Sequence, residues 1–223
     1  MLISHKHKFV TIDIPKTGTR TLRETLTPLG AVDFFGKGHD PKDFFYQHTN
    51  LIKCQKGFVQ NGWDISDYTI FSMVRDPWKR YVSFLLYKLS KIKKYEEASD
   101  EEKQRMNTLS IREASALIVS FDSFGRNVNS FFKFIIERKQ SQDYFLLDKN
   151  GLLGIDVLGS MEKIEDSFNT FCDAVNISPA PELKHSNKSV YSKPYSSYYN
   201  EELIDMVAQK EKWVIDEFGY DFV

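Results

Sequence analysis

The sequence predicts an α/β fold, a three-layer sandwich with a central parallel sheet, on three observations. Residues 8–14 (KFVTIDI) and 68–74 (YTIFSMV) are apolar, β-branched and aromatic runs of strand length. Each is followed at once by a turn signal and then by apolar residues at helical spacing, Leu22, Leu26 and Leu29 after the first and Tyr81, Leu85, Leu89 and Ile92 after the second. Strands that alternate with helices in this way argue for a parallel sheet covered on both faces. Ligands of such folds bind at the carboxyl ends of the strands, where both strand-to-helix corners lie.

The elements follow in order. The first run ends at Pro15, and the helix predicted over 19–29 has Pro28 and Gly30 to stop it. Residues 31–45 hold Gly36, Gly38 and Pro41 among aromatics and read as an irregular connection able to line a site, leading into a helix around 42–56. After the second run, Asp76 is a natural N-cap and Pro77 a natural first helical residue of a long amphipathic helix. Residues 88–105 turn from basic to acidic and read as a solvated helix end and surface loop, the place where disorder is expected. Helices are expected near 110–121 and 127–139, strands at 143–147 (DYFLL) and 155–159 (IDVLG), and a helix over 162–175. A loop rich in Pro, Ser, Asn and Lys over 177–194 precedes a final helix over 200–218.

A chain of 223 residues, 41% hydrophobic and 14% aromatic, suits a single domain over 1–223 and is not a disordered one. With 30 Lys and Arg against 31 Asp and Glu, no global field draws it to nucleic acid or an anionic membrane. No apolar run approaches the roughly 20 residues a bilayer span needs. The start, MLISHKHKFV, has no signal-peptide pattern, so a soluble, cytoplasmic protein is expected. Cys54 and Cys172 lack metal-like spacing and read as buried, reduced thiols. The chain shows no HExxH, EF-hand loop or Cys and His cluster, and no metal requirement is expected.

The first corner reads Ile14-Pro15-Lys16-Thr17-Gly18-Thr19-Arg20-Thr21-Leu22. A glycine in a tight turn that opens a helix presents backbone N–H groups and a positive dipole end, and Lys16 and the threonines add donors. A phosphate is the natural guest, and a capped helix with an exposed lysine is the plainer reading. The pattern is not Walker GxxxxGK[ST], because the lysine precedes the glycine. The second corner reads Val74-Arg75-Asp76-Pro77-Trp78-Lys79-Arg80-Tyr81-Val82-Ser83. Arg75 offers a planar fork for phosphate oxygens and Ser83 can reach back from the helix, although a local salt bridge would also account for the arginine.

Together the two corners resemble the sulfotransferases that use 3′-phosphoadenosine 5′-phosphosulfate (PAPS), in particular the carbohydrate-type group related to heparan sulfate 2-O-sulfotransferase and its bacterial relatives. The C-terminal NKS, the following YY and the closing FGYDF are similar to that family's last segment. The resemblance implies a P-loop NTPase-like sulfotransferase fold and a sulfuryl transfer from PAPS to a hydroxyl of an acceptor, a carbohydrate. By position, Lys16 would stabilise the departing phosphate oxygen. Thr17, Gly18 and Thr19, with Arg20 and Thr21 beside them, would hold the 5′-phosphate, and Arg75 with Ser83 the 3′-phosphate. Arg80 matches a second family arginine and also suits a structural tie. Position 20 carries a smaller hydroxyl residue in the usual pattern.

The acceptor needs a proton acceptor, and histidine suits that work near neutral pH. His5, His7 and His185 read as surface residues. His48 stands at the distance before VRDP at which relatives carry a histidine, with His39 or a carboxylate as the alternatives. Lys184, Lys188 and Ser189 could close over the nucleotide or form a solvated loop. Glu162 stands near a family R-x-E segment that this chain does not reproduce. Trp63, Trp78 and Trp213 read as packing residues. Two other functions fit the corners less well: a P-loop small-molecule kinase, which would need a GK[ST] loop and a Mg²⁺-binding acid, and a binding module without turnover.

Overall fold

The structure is a computed structural model and describes residues 1–34, 44–184 and 193–223. The contacts of the chain divide it into two compact units, one of Met1–Asp76, Gln140–Val190 and Glu211–Tyr220, the other of Pro77–Lys139, Tyr191–Lys210 and Asp221–Val223.

The first unit is an α/β structure. Its strands are β1 (Leu2–Ser4), β2 (Phe9–Ile12), β3 (Val32–Asp33), β4 (Thr69–Val74) and β5 (Val157–Ser160). They form one sheet in the order β3-β1-β2-β4-β5. The core is parallel, with Ile12 paired to Ser72 across β2 and β4, and Val74 to Ser160 across β4 and β5. The edge corrects the all-parallel expectation, because β1 runs antiparallel to both β2 and β3. Only His5–Lys8 join β1 to β2, and so short a link permits a hairpin but no crossover. Three residues just ahead of the basic HKHK stretch give β1 no periodic signal.

Side chains alternate between the two faces of the sheet. Ile3, Val10, Ile12 and Ile70 pack with Leu51, Cys54 and Phe58 of α2 (Leu51–Gln60), Phe145 and Leu146 of α7 (Asp143–Leu146) and Val214 of α10 (Lys212–Phe218). On the other face Leu2, Phe9, Phe71 and Met73 pack with Leu22 and Leu26 of α1 (Thr19–Leu26) and with Phe168, Phe171 and Cys172 of α8 (Ile164–Ala174). The three layers follow from that alternation. Cys54 and Cys172 are both buried free thiols, one in each face's cluster.

Several elements differ from expectation. The apolar run at 143–147 is helix α7, not a strand; a short apolar run has no periodicity to separate the two, and one helical turn suffices to bury Phe145 and Leu146. The helix expected around 42–56 begins at Leu51, where the Asn50 side chain accepts from Lys53 N. The first helix ends in a 3₁₀ turn, Thr27–Leu29, stopped by Gly30 at φ 87°. The final helix is two helices, α9 (Glu201–Lys210) and α10, broken at Glu211.

The second unit is helical: α3 (Pro77–Glu96), α4 (Asp100–Arg105), α5 (Thr108–Ser123), α6 (Val128–Arg138) and α9. α3 packs against α5, α6 and α9. The charged segment expected as loop is helical at both ends, since Ser99 and Glu102 form a reciprocal capping box that starts α4. Among the described residues no helix is long and apolar enough to cross a membrane.

Candidate functional site

The first corner leaves β2 at Ile12 and reaches α1 through six residues. Lys16 has φ 74° and Gly18 φ 81°, both in the left-handed region, so the loop turns back on itself and delivers the helix N-terminus beside the strand end. A Cβ on Gly18 would lie 2.6 Å from Met161 Sδ and 3.3 Å from Met73 Cε, so a side chain there would have to displace Met161 besides adopting a left-handed φ. Gly18 gives α1 no side-chain cap and no acid stands in its first turn, so neither offsets the positive end of the helix that faces the loop.

The predicted ligands of that loop divide. Thr17 is buried, and its hydroxyl donates to the Ile14 carbonyl at 2.9 Å, so the side chain braces the loop and its backbone N–H is what it could offer an anion. Thr21 is buried and Thr19 half-buried on the first turn. Arg20 is exposed and donates from Nε to Glu24 Oε1 at 2.6 Å, along the outside of α1.

Lys16 is half-buried, and its ammonium is pushed down to about 8, first by burial and then by the Arg75 charge. Arg75, immediately after β4, donates from Nη1 to the Lys16 carbonyl at 3.2 Å. The fold therefore brings the two corners, 59 residues apart in sequence, into contact through one guanidinium. Ser83 is buried on α3 in the second unit, as is Arg80, whose guanidinium carbon lies 5.4 Å from the Tyr81 ring and 5.2 Å from the Phe84 ring. Trp78 donates from its indole to the Ile204 carbonyl at 3.3 Å, and Trp63 stacks on Phe45, as packing residues do.

His48 lies next to the same loop. Its Nδ1 is 2.8 Å from the Asp13 carbonyl oxygen. A carbonyl only accepts, so Nδ1 carries the hydrogen and the neutral ring keeps Nε2 as its basic nitrogen. Asp13 is buried at the end of β2, where its Oδ1 accepts from Thr11 Oγ1 at 2.7 Å. Of the other histidines, His5 is exposed and bonds through Nδ1 to the Tyr68 hydroxyl at 2.6 Å, while His39 and His185 lie outside the described residues. Lys188 and Ser189 also lie outside them, and Lys184 is exposed, with its N–H directed to Thr25 Oγ1.

Four further residues bond to or beside the corners, and the sequence gives no sign of two of them, Gln142 and Glu211. Glu162 accepts from the Asp76 N–H at 3.1 Å and from the Tyr220 hydroxyl at 2.7 Å. Gln142 bonds both backbone groups of Arg75, and Glu211 holds Gln142. Glu162 and the FGYDF segment stand out in the sequence by resemblance; Gln142 and Glu211 carry no signal, since polar residues at the edges of apolar runs are ordinarily solvated.

The model of the sulfotransferase family matches residues 1–217, which takes in both units. No curated protein matches the chain, and no solved structure does.

Proposed function

We propose, from the premise that the chain belongs to the sulfotransferase family, that it is a single PAPS-dependent domain which sulfates a hydroxyl of an acceptor, a carbohydrate. One observation carries the PAPS reading: an uncapped helix N-terminus and a half-buried lysine share a loop whose backbone is held by Arg75. Two cations and a row of N–H groups converging on one loop suit a doubly phosphorylated nucleotide.

PAPS supplies the sulfuryl group, and adenosine 3′,5′-bisphosphate is what remains. Lys16 and the first-turn N–H groups of α1 stabilise the negative charge that grows on the departing phosphate oxygen. His48 receives the acceptor hydroxyl's proton at Nε2 as the new O–S bond forms and the old S–O bond breaks, with the Asp13 carbonyl holding the ring in the required tautomer. Thr17, Gly18, Thr19 and Thr21 serve the 5′-phosphate chiefly through backbone N–H groups. Arg75 serves the 3′-phosphate, because the five N–H donors of a guanidinium allow one to hold the loop while others address an anion. Ser83 is assigned to the same phosphate on the family pattern, and Arg20 is left with Glu24. A sulfuryl group carries less charge than a phosphoryl group, and the reading assigns no metal.

The test is calorimetric titration with adenosine 3′,5′-bisphosphate in the presence of a chelator, followed by a screen of hydroxyl acceptors with PAPS. Binding by the wild type and loss of at least about tenfold in Arg75→Ala are expected, the size of one charged hydrogen bond. A folded protein that ignores the bisphosphate and binds Mg-ATP would overturn the reading in favour of a kinase.

A further inference from the structure

Gln142, the residue before α7, and Glu211, the residue between α9 and α10, are 0% and 1% exposed. Buried polar side chains of this size are costly unless every group is bonded, and here the bonds converge on one residue. The Arg75 N–H donates to Gln142 Oε1 at 2.9 Å, and Gln142 Nε2 donates to the Arg75 carbonyl at 2.9 Å. Gln142 donates again from N and from Nε2 to Glu211 Oε2, at 3.0 and 3.3 Å. Both amide hydrogens and the amide oxygen are thus committed. A flipped amide would set its oxygen against a carbonyl and a carboxylate, so Glu211 also fixes which way Gln142 faces.

Arg75 is the first residue past the β4 ladder, which closes at Val74 paired to Ser160. In a sheet the N–H and C=O of one residue can face the same neighbour, and the Gln142 amide takes that neighbour's place. The next N–H, that of Asp76, is bonded by Glu162. Two long-range side chains therefore hold the main chain at the point where the Arg75 guanidinium departs for the Lys16 carbonyl.

Building on the sulfotransferase reading, we infer that Gln142, oriented by Glu211, is a positioning residue that fixes the Arg75 main chain so that its guanidinium faces the Lys16 loop before the nucleotide arrives. Gln142 does not itself touch the nucleotide in this scheme; it acts through Arg75. Preorganised cations cost no ordering when the anion binds, which is how such a residue gains affinity.

The experiment compares wild type, Q142M, Q142E and the double variant Q142E/E211Q by two readouts. The first is the side-chain NMR titration of Lys16 in the ligand-free protein, the second the Kd for adenosine 3′,5′-bisphosphate. In the wild type, burial first and the neighbouring Arg75 charge second hold the Lys16 ammonium down to about 8. In Q142M the midpoint is expected to rise as the guanidinium withdraws, and the Kd to weaken by about tenfold. Q142E sets a carboxylate against Glu211 and the Arg75 carbonyl and is expected to be at least as impaired, with part of the loss recovered in Q142E/E211Q. A purely structural role would lower the melting temperature of Q142M and leave both readouts of the folded protein unchanged, and that result overturns the proposal. If the variants do not fold, amide hydrogen exchange on the wild type decides: the Arg75 N–H is expected to be protected to the level of β4, and exchange at an unprotected rate overturns the clamp. A wild type that fails to bind the bisphosphate, while Q142M still shifts the Lys16 titration, would sink the sulfotransferase reading and leave the hold on Arg75 standing.

Discussion

The Arg75 guanidinium donates to the carbonyl oxygen of Lys16 at 3.2 Å and lies close enough to help depress the Lys16 ammonium. The bond steadies a loop whose lysine sits in the left-handed region, and the price is a pair of like charges in a half-buried place. An anion between them would turn repulsion into attraction, which is what the proposed phosphate site requires of this loop.

Lys16→Met should separate stability from function. It removes a desolvated cation, so the melting temperature at pH 7 should stay level or rise, while turnover with PAPS falls by roughly 10²–10³, the scale of losing one transition-state donor. A melting temperature several degrees lower would show that the ammonium supports the fold.

The pH dependence has a definite sign. Lys16 is charged below about 8, so above the phosphates' own titration at about pH 6 bisphosphate affinity should hold level to about 8 and fall as the pH rises beyond it, because binding must then take up a proton. The stability contribution runs the other way. The folded state holds this proton less tightly than the unfolded chain, so stability should increase between about 8 and the ordinary lysine value of 10.5. Titration calorimetry in buffers of different ionisation enthalpy measures the proton uptake, and Lys16→Met should abolish it.

For His48→Ala, kcat should fall by about 10²–10⁴, the usual range for a general base, with bisphosphate affinity at the wild-type level. An equal loss of affinity would place His48 among the nucleotide ligands instead.

Gly18→Ala should be destabilised by about 1–3 kcal/mol for its left-handed backbone alone, read from denaturant midpoints. The contact with Met161 Sδ, a flexible thioether, adds less than a backbone clash would. Gly30→Ala is the control, since its φ is also positive and its surroundings are open.

Both thiols should be silent toward alkylating reagents at neutral pH in the folded protein. Burial pushes Cys54 up to about 12 and Cys172 up to about 11, which removes the reactive thiolate. Rapid labelling under native conditions would mean that one face of the sheet opens readily.

The sequence alone determined the strand-to-helix corners, because apolar runs of strand length, Asp76 and Pro77 as helix openers and Gly18 at the turn are local signals that need no partner. It also offered Lys16 and Arg75 as phosphate donors, a reading that rests on residue type and neighbours in the chain. It missed β1, too short for a period, and read 143–147 as a strand, because a few apolar residues satisfy either geometry. Only the tertiary structure decided that Arg75 meets the Lys16 carbonyl, that Asp13 sets the His48 tautomer, and that Gln142 and Glu211 hold Arg75. Those bonds span 35 to 69 positions of sequence, and no local pattern of polarity records them. A buried amide or carboxylate is stable only where its partners converge, and that convergence is set by how the layers close on one another.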